Sequence, residues 1–574
     1  MLTKLAVLNF KLFEEVEIEL GERVVFVGPN NSGKTSALQA LALWNAGVRR
    51  WVEKRGGGNV PKERSGVTLN RRDLIAVPVP SANLLWRDLH IREGFREEGK
   101  TKTRNVLIEI GVEGVDHGES WRTSLEFDYA NEESFYCRSR LGPDGTRLEV
   151  PLAAADVRLA YLPPMSGLAA NETRLDEGAV SVRIGEGRTA EVLRNLCWQA
   201  LQRGEGQWKR IVERMRALFG VELDDPDYVR ERGEIIMSFR TASGIRLDLS
   251  SSGRGQQQTL LLLAHMAANP GAVLLLDEPD AHLEVLRQRQ IYQVLTETAA
   301  ETGSQIIAAS HSEVILNEAA DRDTVVAFIG KPHRIDDRGG QQLLKALKEI
   351  GFEHYIQAEE TGWVLYLEGS TDLAILRALT KQLEHPARAH LERPFVHYVG
   401  NQPQQARHHF YGLREAKPNL AGVALYDRLD GGLQSDPNLA QEMWRRREIE
   451  NYLCQRSVLL AFAEAQGRAQ EGDLFAASWR AVMAEAIDEI AEALAALGKP
   501  DPWSADLKAS TEFLDPLFKK FYQKMKLPNL MRKTDYHTLA PYVAEKDIDA
   551  EVGEKLDRIV EVAGRARRRG GSEA

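Results

Sequence analysis

Cysteine is scarce here: Cys137, Cys197 and Cys454 are the whole complement of a 574-residue chain, and they stand far apart. That excludes a disulfide framework and the paired spacings of a zinc ribbon, and it suits a reducing compartment. Long apolar runs are missing too. No stretch approaches the roughly 20 residues that a bilayer-crossing helix needs. The opening Met1-Leu-Thr-Lys-Leu-Ala-Val-Leu-Asn-Phe-Lys11 turns charged too soon for a signal-peptide core. A cytoplasmic protein without membrane contact is expected. Basic charge is not in excess either: 74 Lys and Arg face 84 Asp and Glu, a net charge of -10. Overall charge therefore does not advertise nucleic-acid binding, although a local basic surface still can. Long heptad arms and internal repeats are also absent. The length, in turn, demands more than one core, so two to four domains are expected.

What is present begins with Val24-Val-Phe-Val-Gly28-Pro-Asn30-Asn31-Ser-Gly33-Lys34-Thr35-Ser36. A short β-branched and aromatic run leads into Gly-x-x-x-x-Gly-Lys-Thr, and a helical pattern follows. Glycines let the backbone wrap a polyphosphate with its amide N–H groups inward. The helix N-terminus adds favourable partial charge. Lys34 would reach the β- and γ-phosphates and Thr35 would ligate Mg²⁺. Ahead of this loop, Leu2–Leu20 alternates apolar and polar residues, which predicts a hairpin. Behind it, Arg49–Arg64 is rich in Gly, Arg and Lys. It reads as a solvated loop or as a contact for nucleic acid or a partner. Further strands are expected at Val106–Val112, Ser124–Phe127 and Val157–Leu162, and helices over Ala190–Leu218.

Two more stretches carry chemistry in the first half. Leu249-Ser250-Ser251-Ser252-Gly253-Arg-Gly255-Gln256 precedes a helix. Ala272-Val-Leu-Leu-Leu-Asp277-Glu278-Pro-Asp is a buried parallel strand ending in two carboxylates. Acids at a strand end are costly without a cation or polar partner. Asp277 suits Mg²⁺, and Glu278 suits orienting the attacking water. The next strand, Gln305-Ile-Ile-Ala-Ala-Ser310-His311, puts a histidine where it can meet a γ-phosphate.

After a polar connector the pattern repeats with different acids. Trp363-Val-Leu-Tyr-Leu-Glu368-Gly-Ser-Thr371-Asp372 is a strand, a tight turn and a helix start. Leu420–Asp427 is another strand ending in an acid, followed by Asp430, and Glu448-Ile-Glu450-Asn-Tyr-Leu adds acids on a helix. Carboxylates on adjacent strand ends can share divalent ions that activate water for phosphodiester cleavage. An Ala-rich helical region and a basic tail, Arg565-Ala-Arg-Arg-Arg, close the chain.

The motifs of the first half resemble the ABC-type ATPase head of the SMC/RecF and OLD (overcoming lysogenization defect) families. The second half resembles a Toprim domain, and Glu-Ile-Glu-Asn-Tyr-Leu resembles the Toprim part of OLD-type nucleases and related phage-defence proteins. The resemblance implies an α/β architecture: an ABC-type ATPase domain over 1–335 with insertions near 45–155 and 165–235, a connector over 336–360, a Toprim-like domain over 361–460, and helices over 461–574. It implies ATP sandwiched between two heads of a homodimer or higher homo-oligomer, with Asn30, Asn31, Gly33, Lys34, Thr35 and Ser36 on one nucleotide face. Ser251, Ser252, Gly253, Gly255 and Gln256 would sit on the other. Glu278 and His311 would serve hydrolysis. Glu368, Asp372, Asp427, Asp430 and Glu450 would hold Mg²⁺ or Mn²⁺ for a nucleic-acid endonuclease in anti-phage defence, acting on DNA or RNA. The family's second acidic motif is Asp-x-Asp, whereas this chain reads Asp427-Arg-Leu429-Asp430. That departure keeps open an ATPase sensor or scaffold whose degenerate Toprim controls a separate effector subunit or toxin.

Overall fold

The computed structural model describes all residues except 56–65, 98–99, 143–146, 321, 329–330, 336–349 and 567–574. Most of the Gly- and Arg-rich loop, most of the connector and the end of the basic tail thus lie outside the described residues. The chain divides into two compact units, Met1–Leu344 and Lys345–Ala574.

The first unit holds two six-stranded sheets. The predicted hairpin forms as β1 (Leu2–Phe10) and β2 (Phe13–Glu19), with Leu5 opposite Ile18 and Val7 opposite Val16. These apolar residues share one buried face, as period-two alternation requires. After β3 (Arg23–Val27), helix α1 spans Lys34–Arg55. It runs well past Trp44, because Trp44 and Val48 continue its buried stripe. Residues 45–155, expected as an insertion, supply β4 (Val67–Asn70), β5 (Ile108–Asp116), β6 (Glu119–Asn131) and β7 (Ser134–Ser139). They join the hairpin in one antiparallel sheet of order β2-β1-β5-β6-β7-β4. The apolar side of that sheet shares a core with α1.

The second sheet is built around β3. Its order is β8 (Leu159–Leu162), β9 (Val273–Asp277), β10 (Gln305–Ser310), β3, β11 (Thr324–Ala327) and β12 (His333–Arg334). Every pairing except β11 with β12 is parallel. Val24–Val27 and Val273–Leu276 are buried throughout, which is why they read as unbroken apolar runs. Between β8 and β9 lies α2 (Arg254–Ala268), whose Leu260–Leu263 are all buried.

The second unit holds a four-stranded, wholly parallel sheet. In chain order it runs α3 (Phe352–Thr361), β13 (Trp363–Leu367), α4 (Ser370–Gln382), β14 (Val396–Tyr398), α5 (Pro403–Ala416), β15 (Ala421–Tyr426) and β16 (Leu439–Met443). The strand order is β14-β13-β15-β16. Direction of winding therefore reverses at β13. Parallel sheets open a crevice at the carboxyl ends of such a reversal, between the first strand and the third. The helices α6 (Arg456–Glu471), α7 (Asp473–Ala496), α8 (Asp515–Lys524) and α9 (Ala550–Gly564) share one core with this sheet, from Leu365 and Val423 to Trp479, Phe518 and Ile559. Among the described residues no helix is long and apolar enough to cross a membrane.

Candidate functional site

In the first unit the phosphate loop joins β3 to α1 at the carboxyl edge of the parallel sheet. Gly33 has φ 102°, and an added Cβ would lie 2.7 Å from the ring of Phe13, so only glycine fits. Asn31, at φ 62°, takes the left-handed turn that Asn tolerates. Asn30, Asn31 and Thr35 are exposed, while Lys34 and Ser36 are buried at the helix start. The Lys34 ammonium folds back onto the loop, donating to the carbonyls of Gly28 at 2.7 Å and Pro29 at 2.8 Å. Burial pulls its pKa below the ordinary lysine value, against the pull of Asp277, Glu278 and Asp280.

The carboxylates of β9 meet this loop. The Thr35 hydroxyl donates to Asp277 Oδ1 at 3.2 Å, and the Tyr161 hydroxyl donates to Oδ2 at 3.3 Å. Burial lifts the Asp277 pKa to about 6. A hydroxyl beside a buried carboxylate is the donor pair that a nucleotide-bound Mg²⁺ takes. Glu278 sits in the left-handed region at φ 50°, its N–H donating to Ala309 O at 2.8 Å. Such a conformation costs a non-glycine residue about 1–2 kcal/mol and is held only where its surroundings insist. It turns the side chain outward, to where His311 Nδ1 lies 3.8 Å from Glu278 Oε1. Asp280 is buried beyond it, with Oδ1 lacking a partner among the described residues.

The serine-rich stretch is a 3₁₀ turn over Leu249–Ser251 leading into α2. Asp248 caps Ser250 N at 2.8 Å, and the Ser252 hydroxyl donates to Leu249 O at 2.6 Å. Ser251 and Gly253 are exposed, and Gly255 and Gln256 half-buried. Among the described residues, these make no hydrogen bond to the phosphate loop of their own chain. Gln258, one turn on, ties α2 to the carboxylate strand through Pro279 O at 3.3 Å.

In the second unit the acids gather at the sheet reversal. Glu368 follows β13 and Asp427 follows β15. Asn401, after β14, joins them: its Nδ2 donates to Glu368 Oε2 at 2.6 Å and to Asp427 Oδ2 at 3.3 Å, and its Oδ1 accepts Asp427 N at 2.9 Å. Gly400 and Asn401 are both left-handed, at φ 53° and 58°, which aims the amide back over the strand ends. Burial and the adjacent Glu368 carboxylate push the Asp427 pKa well above the carboxylate range. Asp372 accepts Gly369 N at 3.1 Å, and burial raises its pKa to about 6. Glu450 is buried on a 3₁₀ turn, raised to about 7 by burial, with Lys533 Nζ 3.7 Å away. Its neighbour Glu448 is taken up by Ser510, whose hydroxyl donates at 3.0 Å.

Asp430 does not join this group. Its side chain is 99% exposed and faces Arg447 at 3.8 Å. Three residues beyond Asp427 the chain has already left the sheet edge. Sequence reasoning also missed Tyr161, Asp280, Asn401 and Lys533. Asn401 had a usable signal, Gly-Asn directly after a strand. Lys533 had none, since it comes from a distant segment.

The chain matches a family model described as "AAA ATPase domain" over residues 1–49 and one described as "AAA domain, putative AbiEii toxin, Type IV TA system" over 181–317. No curated protein matches. Among solved structures it is similar to the SMC head domain from Thermotoga maritima, with 16% identity and a TM-score of 0.31 over 58% of this chain and 98% of that one. The Smc head bound to the C-winged helix domain of ScpA gives 15% and 0.34 over 58% and 97%. The Smc head with an extended coiled coil, bound to the C-terminal domain of ScpA derived from Pyrococcus furiosus, gives 14% and 0.33 over 61% and 99%. The two AAA matches fall on the phosphate loop and on the stretch carrying Asp277, Glu278 and His311. The first unit is an ATPase domain.

Proposed function

We propose that this protein is an ATP-regulated, divalent-metal-dependent nucleic-acid endonuclease of the OLD type, serving antiviral defence. In the ATPase unit Lys34 would exchange its two loop carbonyls for phosphate oxygens. Thr35 and Asp277 would hold Mg²⁺, and Glu278 would orient the attacking water with His311 beside it. The turn at Ser251, Ser252, Gly253, Gly255 and Gln256, exposed at Ser251 and Gly253, would cap nucleotide held by a second copy, which makes a homodimer the working form.

The nuclease reading rests on one observation: Glu368 and Asp427 share Asn401 at the reversal of a parallel sheet. Two half-buried carboxylates sharing one amide repel, and a divalent cation relieves that repulsion. Asp372 and Glu450 add carboxylates beside them. A bound cation would supply charge for activating water and steadying the leaving oxygen of a phosphodiester. Toprim and its Mg²⁺ or Mn²⁺ set are thus proposed on Glu368, Asp427, Asp372 and Glu450, with Asp430 set aside.

Incubating plasmid DNA with the protein and Mg²⁺ or Mn²⁺ tests this. Cleavage by wild type and none by Glu368→Ala is expected. Cleavage surviving that substitution would remove the assignment. A second reading is favoured by Leu429 and the outward Asp430: the acids are a remnant, and the ATPase controls a separate effector. The toxin-linked description of the matched AAA family fits a defence setting under either reading. No cleavage by wild type with intact ATP turnover supports this second reading.

A further inference from the structure

Away from the acids, three elements of the second unit bring histidines together. His354 comes from α3, His397 from β14 and His409 from α5. One ring nitrogen of each lies within 4.8 Å of the others. His409 Nε2 is 2.9 Å from His354 Nδ1. The rings of His397 and His409 stack at 3.8 Å and 7°, and His354 stands across both, at 70° and 71°. Among the described residues no carboxylate belongs to this cluster.

We propose that His354, His397 and His409 are the ligands of a borderline divalent transition ion of the Zn²⁺ class, which pins α3 and α5 to the edge strand β14. Three imidazoles with a water completing a tetrahedron is a set that Zn²⁺ accepts and that Mg²⁺, which prefers oxygen, does not. The surroundings match. His409 Nδ1 meets the buried Tyr366 hydroxyl at 2.9 Å. Metal-bound histidines give their second N–H to such a partner, which fixes the tautomer and aims Nε2 at the ion. Burial and the neighbouring rings disfavour the charged form of His409 and His397. A cavity of about 390 Å³, lined by Ile350, His397, Gln404, Gln405, His408 and His409, adjoins the cluster and leaves room for the fourth ligand.

Coordination asks for two small movements. Zn–N bonds of about 2.0–2.1 Å at tetrahedral angles separate ligand nitrogens by roughly 3.3 Å. His354 and His409 must therefore open slightly from their hydrogen-bonded distance, the ion replacing the shared proton. His397 must also tilt out of its stack. His354 and His397 are half-buried, so both rings have room to turn.

Full-length protein stripped with a chelator is titrated with Co²⁺, whose visible ligand-field bands report four-coordinate nitrogen ligation. One equivalent is expected to bind in wild type, to be displaced by Zn²⁺ and to resist excess Mg²⁺. His354→Gln and His397→Gln should each lose at least about tenfold in affinity. Tyr366→Phe should lose about 10–100-fold, as second-partner substitutions do. Glu368→Gln should develop the same four-coordinate bands as wild type, separating this site from the acids. The proposal is overturned if wild type shows no such bands. It is equally overturned if His354→Gln and His397→Gln, with unchanged circular dichroism, bind Co²⁺ as wild type does.

Discussion

The contact between Thr35 and Asp277 is where two distant stretches become one site. Among the described residues Lys34 has no anionic partner within ion-pair distance and spends its donors on loop carbonyls, an arrangement that phosphate oxygens would replace at small cost. Lys34→Ala should therefore lower phosphate release by about 10²-fold or more, the cost of losing one preorganised charge. Glu278→Gln should lower it by about 10²–10⁴-fold, the usual worth of a positioned base, while leaving ATP binding intact. Normal turnover by either purified variant contradicts the assignment. These residues were legible because a phosphate loop needs glycine, lysine and a hydroxyl at set spacing, and a strand ending in two acids needs a reason. Tyr161 was not, since a lone phenol carries no spacing signal until the fold places it, and Asn401 offered only the Gly-Asn turn after its strand.

At the level of elements, the sheet reversal dictates where the acids stand. Because β14 and β15 flank β13, Glu368 and Asp427 face one crevice. Their repulsion should make Asp427→Asn more stable than wild type by about 1 kcal/mol in chelator, since the amide is neutral. Adding Mg²⁺ or Mn²⁺ should raise the melting temperature of wild type and not of the variant. Equal gains in both would contradict cation binding at these acids. In the first unit, the Glu172 carboxylate accepts N–H groups of Arg194 and Asn195 at 2.9 and 2.6 Å, at the start of the helix Leu193–Gln202. Burial nonetheless lifts its pKa to about 7. The folded state thus holds this proton more tightly than the unfolded chain. Stability should fall as pH rises from the ordinary glutamate value towards about 7, then level. The urea midpoint should change less between about pH 5 and pH 8 in Glu172→Gln than in wild type. An equal change contradicts this. The hairpin and the parallel strands of both units were legible, because alternation and unbroken apolar runs reflect one-sided and two-sided burial. The joining of the hairpin to β5 was hidden, since pairing partners a hundred residues apart leave no local pattern. Asp430 misled because the acid motif was read as sequence spacing, whereas the chain leaves the sheet after Asp427.

For the whole molecule, the proposed capping of one copy's nucleotide by the turn before α2 of another predicts nucleotide-driven pairing. Glu278→Gln with ATP should elute as a dimer where wild type without nucleotide elutes smaller. An unchanged elution volume contradicts nucleotide-driven pairing. The central claim is that nucleotide turnover in the first unit governs what the acid pair of the second does. It is tested most directly by following plasmid cleavage with Mg²⁺ or Mn²⁺ while varying only the first unit and the nucleotide. Wild-type cleavage should change when ATP is added, and Lys34→Ala should not respond to ATP. Cleavage that requires Glu368 yet is identical in wild type and Lys34→Ala, with and without ATP, would contradict it.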